Sequence, residues 1–238
     1  MYYRVSSVKK HAVLVISGGA MTEVEEAIRP QRKIHRNAQK TRADILSVAR
    51  DEFVERGFSG ARIDDIAART RTSKRMIYYY FTNKDGLYRE VLRAAYASVR
   101  EVEQQVVLTG LTPSEALRRL VRATMRHHLE NPQYVRLIMI ENIHHGRFVR
   151  QLDQISSSAA SAVDLLGTIY ADGCASGAFR PGLQPLDLHW LISALAFFSV
   201  SNRATFGFLF PEFLADEDHG SVTRLSEDVV MRFVAPQP

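Results

Sequence analysis

Ser73, Lys74, Arg75, Tyr78 and Tyr79 stand within one short stretch of a 238-residue chain. Their hydroxyl, ammonium, guanidinium and phenol groups are all hydrogen-bond donors, and each can bond a phosphate oxygen. A guanidinium fork can also take two acceptors on a guanine edge. Set along the first turns of a short helix, these groups suit the major groove of duplex DNA, where phosphates and base edges lie within reach together. Arg62, Thr72 and Lys84 flank the stretch and extend the donor set. The chemistry expected is binding. Arg75 keeps two readings, a bidentate base contact or a phosphate contact.

Two short helices with a tight turn between them would place these groups. Ile63, Ile66, Ala67 and Thr70 recur at steps of three and four, which is one face of a helix. Asp64 and Asp65 fall in its first turn, where negative charge suits the helix dipole. Thr72 or Ser73 can cap the second helix. Met76, Ile77, Tyr80 and Phe81 are expected inward, with Lys74, Arg75, Tyr78 and Tyr79 outward. A supporting helix is expected from Thr41 to Gly57, with Ile45, Val48, Ala49 and Phe53 on its inner face and Gly57 as its stop.

The run ILSVARDEFVERGFSGARIDDIAARTRTSKRMIYYYFTNKDGLYREVL resembles the DNA-binding domain of the TetR family of bacterial transcription regulators. The resemblance covers roughly Arg42 to Leu92. It is carried by Ala49, Phe53, Gly57, Ile66, Ala67, Ser73, Tyr78, Phe81, Lys84 and Leu87 at the family's spacing. It implies an all-α protein, with a three-helix helix-turn-helix domain ahead of a helical bundle for dimerisation and effector binding. The expected divisions are a disordered basic extension at 1–38, with helix expected there only near Glu23–Ile28, the DNA-binding domain at 39–92 and the effector and dimerisation domain at 93–238. Two positions depart from the family's pattern. The turn is Thr70-Arg71-Thr72, so Arg71 stands where a glycine is usual and predicts a strained or altered turn. Arg75 stands where many members carry glycine or another small residue.

Composition agrees with a globular, DNA-binding chain. Hydrophobic residues make up 46% and the net charge is +5. Between Arg29 and Arg42 there are six Lys or Arg residues and no acid. A basic arm there would follow the DNA backbone or enter a minor groove, and a solvated leader is the alternative. Upstream, the apolar core Ala12–Ile16 is too short for a signal peptide, and Met21 is an alternative start. The single cysteine, Cys174, allows no intrachain disulfide, which fits a cytoplasmic protein. The most apolar run, Leu188–Val200, falls short of the ~20 residues a membrane span requires.

Beyond the DNA-binding unit the chain reads as successive helices. One is expected from a cap at Thr82 or Asn83 to about Val107. Thr112-Pro113-Ser114-Glu115 is a strong start signal for another, ending at Glu130. Asn131-Pro132 opens the next, which breaks near Gly146. Helices follow over Phe148–Cys174, Asp187–Phe210 and Thr223–Val234, with Gly177–Pro185 as a connection. The resemblance implies that the last two helices pair with those of a second subunit. A twofold homodimer would set two reading helices ~34–36 Å apart on a pseudo-palindromic operator.

It also implies a pocket for a small-molecule effector. Polar or aromatic residues on otherwise apolar helices mark its expected wall: His128, Tyr134, His144, Phe148, Tyr170, Trp190 and Asn202. The two His-His pairs lack the i, i+4 spacing of a helical metal clamp, so no metal is expected. No phosphate loop, dinucleotide glycine pattern, nucleophile elbow or zinc signature is present, so neither a cofactor nor an enzyme is expected. The function expected is a ligand-responsive repressor. The alternative is a constitutive DNA-binding protein without an effector.

Overall fold

The computed structural model describes residues 20–105, 109–214 and 220–237, and every regular element among them is helical. In chain order the helices are α1 (Ala20–Gly60), α2 (Ile63–Arg69), α3 (Lys74–Phe81), α4 (Lys84–Gln105) and α5 (Pro113–Glu130). They continue with α6 (Pro132–Ile143), α7 (Asp153–Ala175), α8 (Pro185–Ser201), α9 (Arg203–Leu209) and α10 (Gly220–Val234). The all-α expectation holds. Two units divide the chain, 1–44 and 45–238.

The first unit contains the early turns of α1. Helix is present from Ala20, well ahead of the expected start near Thr41. It includes the Glu23–Ile28 stretch where helix was expected, and good helix formers such as Glu25, Glu26, Ala27 and Gln31 favour this conformation. Residues 1–19, including the apolar segment Ala12–Ile16, lie outside the described residues.

The second unit begins with the part of α1 that carries Ile45, Ala49 and Phe53, all fully buried. Gly57 interrupts α1 with φ 67° and ψ 174°, a backbone that a side chain would strain. The chain then turns so that Ala61, Ile63, Ile66 and Ala67 close over the same core, followed by Ile77 and Phe81 of α3. Leu87, Tyr88, Val91 and Leu92 of α4 complete it. Asn83 is the cap of α4, with its Oδ1 accepting the Gly86 N–H at 2.7 Å. A Cβ on Gly86 would lie 2.1 Å from the Phe81 carbonyl oxygen, so α4 abuts the end of α3 backbone to backbone. No break in packing follows Leu92. The core runs on into Leu137 of α6 and to Phe148 and Leu152.

A second core joins α5, α7, α8 and α10 through Leu117, Val121, Met125, Leu166, Ile192 and Val230. The start signal of α5 is realised as a capping box: Thr112 Oγ1 accepts the Glu115 N–H, and Glu115 Oε2 accepts the Thr112 N–H at 2.8 Å. Two expected helices are subdivided. The stretch from Phe148 opens with a short 3-10 turn, Val149–Gln151, before α7. The stretch after Asp187 breaks at Asn202, whose ψ of 2° ends α8 before α9 begins. Asparagine competes for local hydrogen bonds and stops helices readily; here its Nδ2 donates to Ser201 Oγ at 2.9 Å.

α10 is fastened to α5 by a buried acid. Glu227 accepts Arg118 Nη1 at 2.6 Å, Arg122 Nε at 2.5 Å and Arg122 Nη2 at 2.8 Å. The hydrogen bond from Arg122, followed by that from Arg118, outweighs burial and holds the Glu227 carboxyl below the usual carboxylate range. A depressed folded-state pKa means stability present above the unfolded value and lost as pH falls through the folded one.

Gly86→Ala should cost about 1–3 kcal/mol of overpacking, more than the ~1 kcal/mol of helix propensity it gains, measured by urea unfolding with the midpoint moving to lower urea. Glu227→Ala should lose about 1–3 kcal/mol at neutral pH. The same unfolding curves, repeated from pH 7 to below 4, should show a gap between parent and variant that narrows on acidification.

Candidate nucleic-acid interface and cavity

The turn between α2 and α3 is built on side-chain and backbone bonds rather than on glycine. Thr70 Oγ1 donates to the Ile66 carbonyl at 2.8 Å, and the Thr72 N–H reaches the Ala67 carbonyl at 3.1 Å. Arg71 sits between them at φ 51°, the left-handed region that glycine occupies more easily. The altered turn expected from Arg71 is therefore a strained residue, held by bonds on both sides. Ser73 then caps α3, its Oγ accepting the Met76 N–H at 3.2 Å.

From this cap α3 buries Ile77 and Phe81 and turns its other side to solvent. Tyr79 is 78% exposed and Tyr78 38%. Arg75 is exposed and has no ion-pair or hydrogen-bond partner among the described residues. Arg62 is exposed as well; its backbone N–H is used, donating to Glu52 Oε1 at 3.3 Å. Lys74 is exposed, with Nζ 3.1 Å from Asp64. Thr72 is half-buried in the turn. Met76 is 38% exposed, where an inward position was expected, because Ile77 and Phe81 already fill the buried stripe of this short helix.

Lys84 differs from the other cations. Its Nζ donates to the Ser59 carbonyl at 3.3 Å and lies 4.9 Å from the centroid of the Phe58 ring. Burial lowers its pKa, against the opposing pull of Asp85 and then Glu52. Lys84 thus ties α4 to the last turn of α1, after Gly57, as well as carrying charge.

Sequence reasoning passed over Glu52. It is 1% exposed, yet it holds three groups: the Arg62 N–H, Arg69 Nη1 at 3.4 Å and Arg56 Nε at 3.3 Å. It pins both ends of α2 onto α1. Its only signal in the chain is an acid placed one position from Phe53 on the buried stripe.

A cavity of about 320 Å³ lies among α4, α5, α6, α7 and α8. Of the residues expected in a ligand wall, the structure brings three together here: His128, Tyr134 and Trp190. Thr124, Asn142 and Ser193 share the lining and were not singled out for it; small polar residues on amphipathic helices carry no distinguishing mark. His128 Nδ1 is 2.9 Å from the Thr124 carbonyl. A carbonyl only accepts, so Nδ1 carries the hydrogen and Nε2 is the acceptor of a neutral ring. Burial keeps that ring neutral by lowering its pKa. Tyr134 packs edge-on against His127 and His128, with centroids 5.5 and 5.4 Å away.

The other four expected wall residues lie elsewhere. His144 is exposed at the end of α6. Phe148 is buried against Phe58 and Tyr88 in the first core. Tyr170 secures the connection before α8, donating to the Arg180 carbonyl at 2.8 Å and accepting the Leu183 N–H at 2.9 Å. Asn202 terminates α8. A separate groove of about 810 Å³ runs between α1, α6 and α9, with Arg136 and Arg203 on its wall.

Residues 45–91 match the family model for bacterial regulatory proteins of the tetR family, and residues 113–230 match that for the tetracyclin repressor-like C-terminal domain. The HTH-type transcriptional repressor NicS of Pseudomonas putida is 34% identical over 180 residues, which is 76% of this chain and 85% of that protein. A putative transcriptional regulator from Streptomyces coelicolor, SCO4942, superposes with a TM-score of 0.64 at 25% identity, covering 83% of this chain and 99% of its own. AibR, solved with isovaleryl coenzyme A and operator DNA, superposes with a TM-score of 0.59 at 18% identity over 83% of this chain and all of its own, a likeness of fold. The helix-turn-helix geometry, the helical body and these matches agree: the chain belongs to the tetR family of bacterial regulatory proteins.

Proposed function

We propose that this protein is a transcription repressor that binds a pseudo-palindromic operator as a homodimer and leaves it when a small molecule fills the cavity beside His128. The observation that carries the reading is α3, which projects Arg75, Tyr78 and Tyr79 into solvent from a capped, core-anchored rod. Arg75, without an internal partner, is the group assigned to a base edge. Ser73, Lys74, Tyr78, Tyr79, Thr72 and Arg62 are assigned to the phosphates, with Lys84 as a positioning residue as well as a phosphate contact. A protein similar to this one is named a repressor, and a structural neighbour was solved with both a ligand and operator DNA.

Pairing is supported by the apolar surface on α8 and α10. Trp190 is 71% exposed, and Leu186, Phe198, Leu225 and Val229 are exposed on the same two helices. Solvent is a poor resting place for so many large side chains on packed neighbours, and a second copy of the same face would cover them. The action is a binding equilibrium in the cytoplasm, with no chemical step. α4 joins the two ends of that equilibrium, since Tyr88 and Leu92 belong to the core under α3 and Val99 lines the cavity. A differential affinity of about 1–3 kcal/mol would change operator binding roughly 5–150-fold.

Operator selection followed by polarisation titrations tests the reading head. Tyr79→Ala and Tyr78→Phe should weaken binding to all duplexes with little change in unfolding midpoint. Arg75→Ala should relax preference at one base pair per half-site, a discrimination of about 1–3 kcal/mol. An unchanged selected consensus would reassign Arg75 to phosphate. For the pairing surface, Leu225→Asp with Val229→Asp should give a monomer in sedimentation velocity and weaken operator binding at least tenfold, roughly 1.4 kcal/mol; a parent protein that sediments as a monomer would overturn the dimer.

A further inference from the structure

We propose that the cavity beside His128 takes an uncharged molecule of one or two aromatic rings that carries a hydrogen-bond donor. The inference rests on the preceding reading of this cavity as the effector site and goes on to name the class of molecule.

Among the described lining residues there is no Lys, Arg, Asp or Glu. The polar groups are Thr124, His128, Tyr134, Asn142, His189 and Ser193, all able to bond a neutral partner. Burial lowers the pKa of His128, and its neighbour His127 is lowered by burial as well, so neither ring supplies a standing positive charge. A carboxylate or phosphate brought here would lose its water shell with no Lys or Arg of the lining to receive it. The arginines that could receive an anion, Arg136 and Arg203, line the separate groove instead.

About 320 Å³ is at the small end of the ~300–1,000 Å³ range of ligand pockets. Nucleotide conjugates and long acyl chains exceed it. Tyr134, Trp190 and Phe197 contribute ring faces or edges, which favour flat π-systems stacked or set edge-on. The donor follows from His128. Its Nδ1–H is spent on the Thr124 carbonyl, so the acceptor Nε2 is the nitrogen left to recognise a ligand. An N–H or O–H on the guest matches it.

The test uses the full chain and three probes with one ring system: 2-naphthol, 2-naphthoate and 2-naphthyl phosphate. Isothermal titration calorimetry reads binding, and fluorescence polarisation of a labelled operator reads release. Naphthol is expected to bind in about the 10–100 μM range, with the two anions weaker by about tenfold or more. His128→Phe keeps the ring and removes the acceptor, and should weaken naphthol about tenfold. Ser193→Phe fills the cavity from α8 and should abolish the heat, and it serves where the first variant is unfolded. An anion that binds as tightly as naphthol overturns the proposal. So does the absence of naphthol binding, or naphthol binding that both folded variants leave intact. Naphthol binding without operator release upholds the ligand class and sinks the release reading; an anion that binds and releases the operator does the reverse.

Discussion

The fold of the larger unit depends on one aromatic cluster. Phe53 and Phe58 of α1, Tyr88 of α4 and Phe148 of the segment after α6 meet with ring centroids 4.6 to 5.1 Å apart for the four closest pairs. Edge-on and tilted geometry at these distances adds about 0.5–1.5 kcal/mol per pair beyond burial. Its larger effect is connective. Phe53 belongs to the supporting helix of the reading head and Phe148 to the body, so these rings pack the two into one core. Phe148 is held in turn by Glu141, whose Oε2 accepts the Phe148 and Val149 N–H groups at 3.0 Å each. Burial first, and then the Glu141 charge, push the Tyr88 phenol well above its ordinary pKa, so it stays neutral within the cluster.

Buried acids recur at the joints of the helices. Glu52 ties α1 to α2, Glu141 ties α6 to the turn before α7, and Glu227 ties α5 to α10. Each lies under 6% exposed and is met by charged or backbone donors. An isolated buried carboxylate is costly, and one with several donors is directional. These helices could slide along apolar faces at little cost, and a fixed donor set opposes that. The acids therefore set register where hydrophobic packing sets proximity.

Much of the reading head was legible in the chain because its determinants are local. The Ser73 cap, the Gly57 stop and the stagger of Ile63, Ile66 and Ala67 all act within one or two turns, and each appears in the fold. The strain at Arg71 was legible for the same reason. Met76 was misplaced because Ile77 and Phe81 already complete the buried stripe of so short a helix, which periodicity alone cannot show. The body was legible as helices and hardly at all as a site. Tyr134 lines a cavity while Tyr170 bolts down a connection and Phe148 fills a core, although all three are aromatic residues on or beside apolar helices. What separates them is a partner far off in sequence, such as the Arg180 carbonyl or the Tyr88 ring. Glu227 was invisible for the same reason, since its arginines lie more than a hundred residues away.

α4 is the element shared by the first core and the cavity. Tyr88 sits in the cluster beneath the reading head, and Val99, three turns later, lines the cavity about 16 Å further along the axis. A helix transmits displacement along its length with little loss, while close-packed cores at its two ends resist small continuous adjustments. The backbone contact between Gly86 and the Phe81 carbonyl leaves no slack where α4 meets α3. Movement of α4 at the cavity must then move α3 as a body or break the cluster at Phe148. The first route leaves the ring contacts of the cluster in place. The second costs the burial of several aromatic rings, so displacement of α4 passes to α3 before the cluster yields.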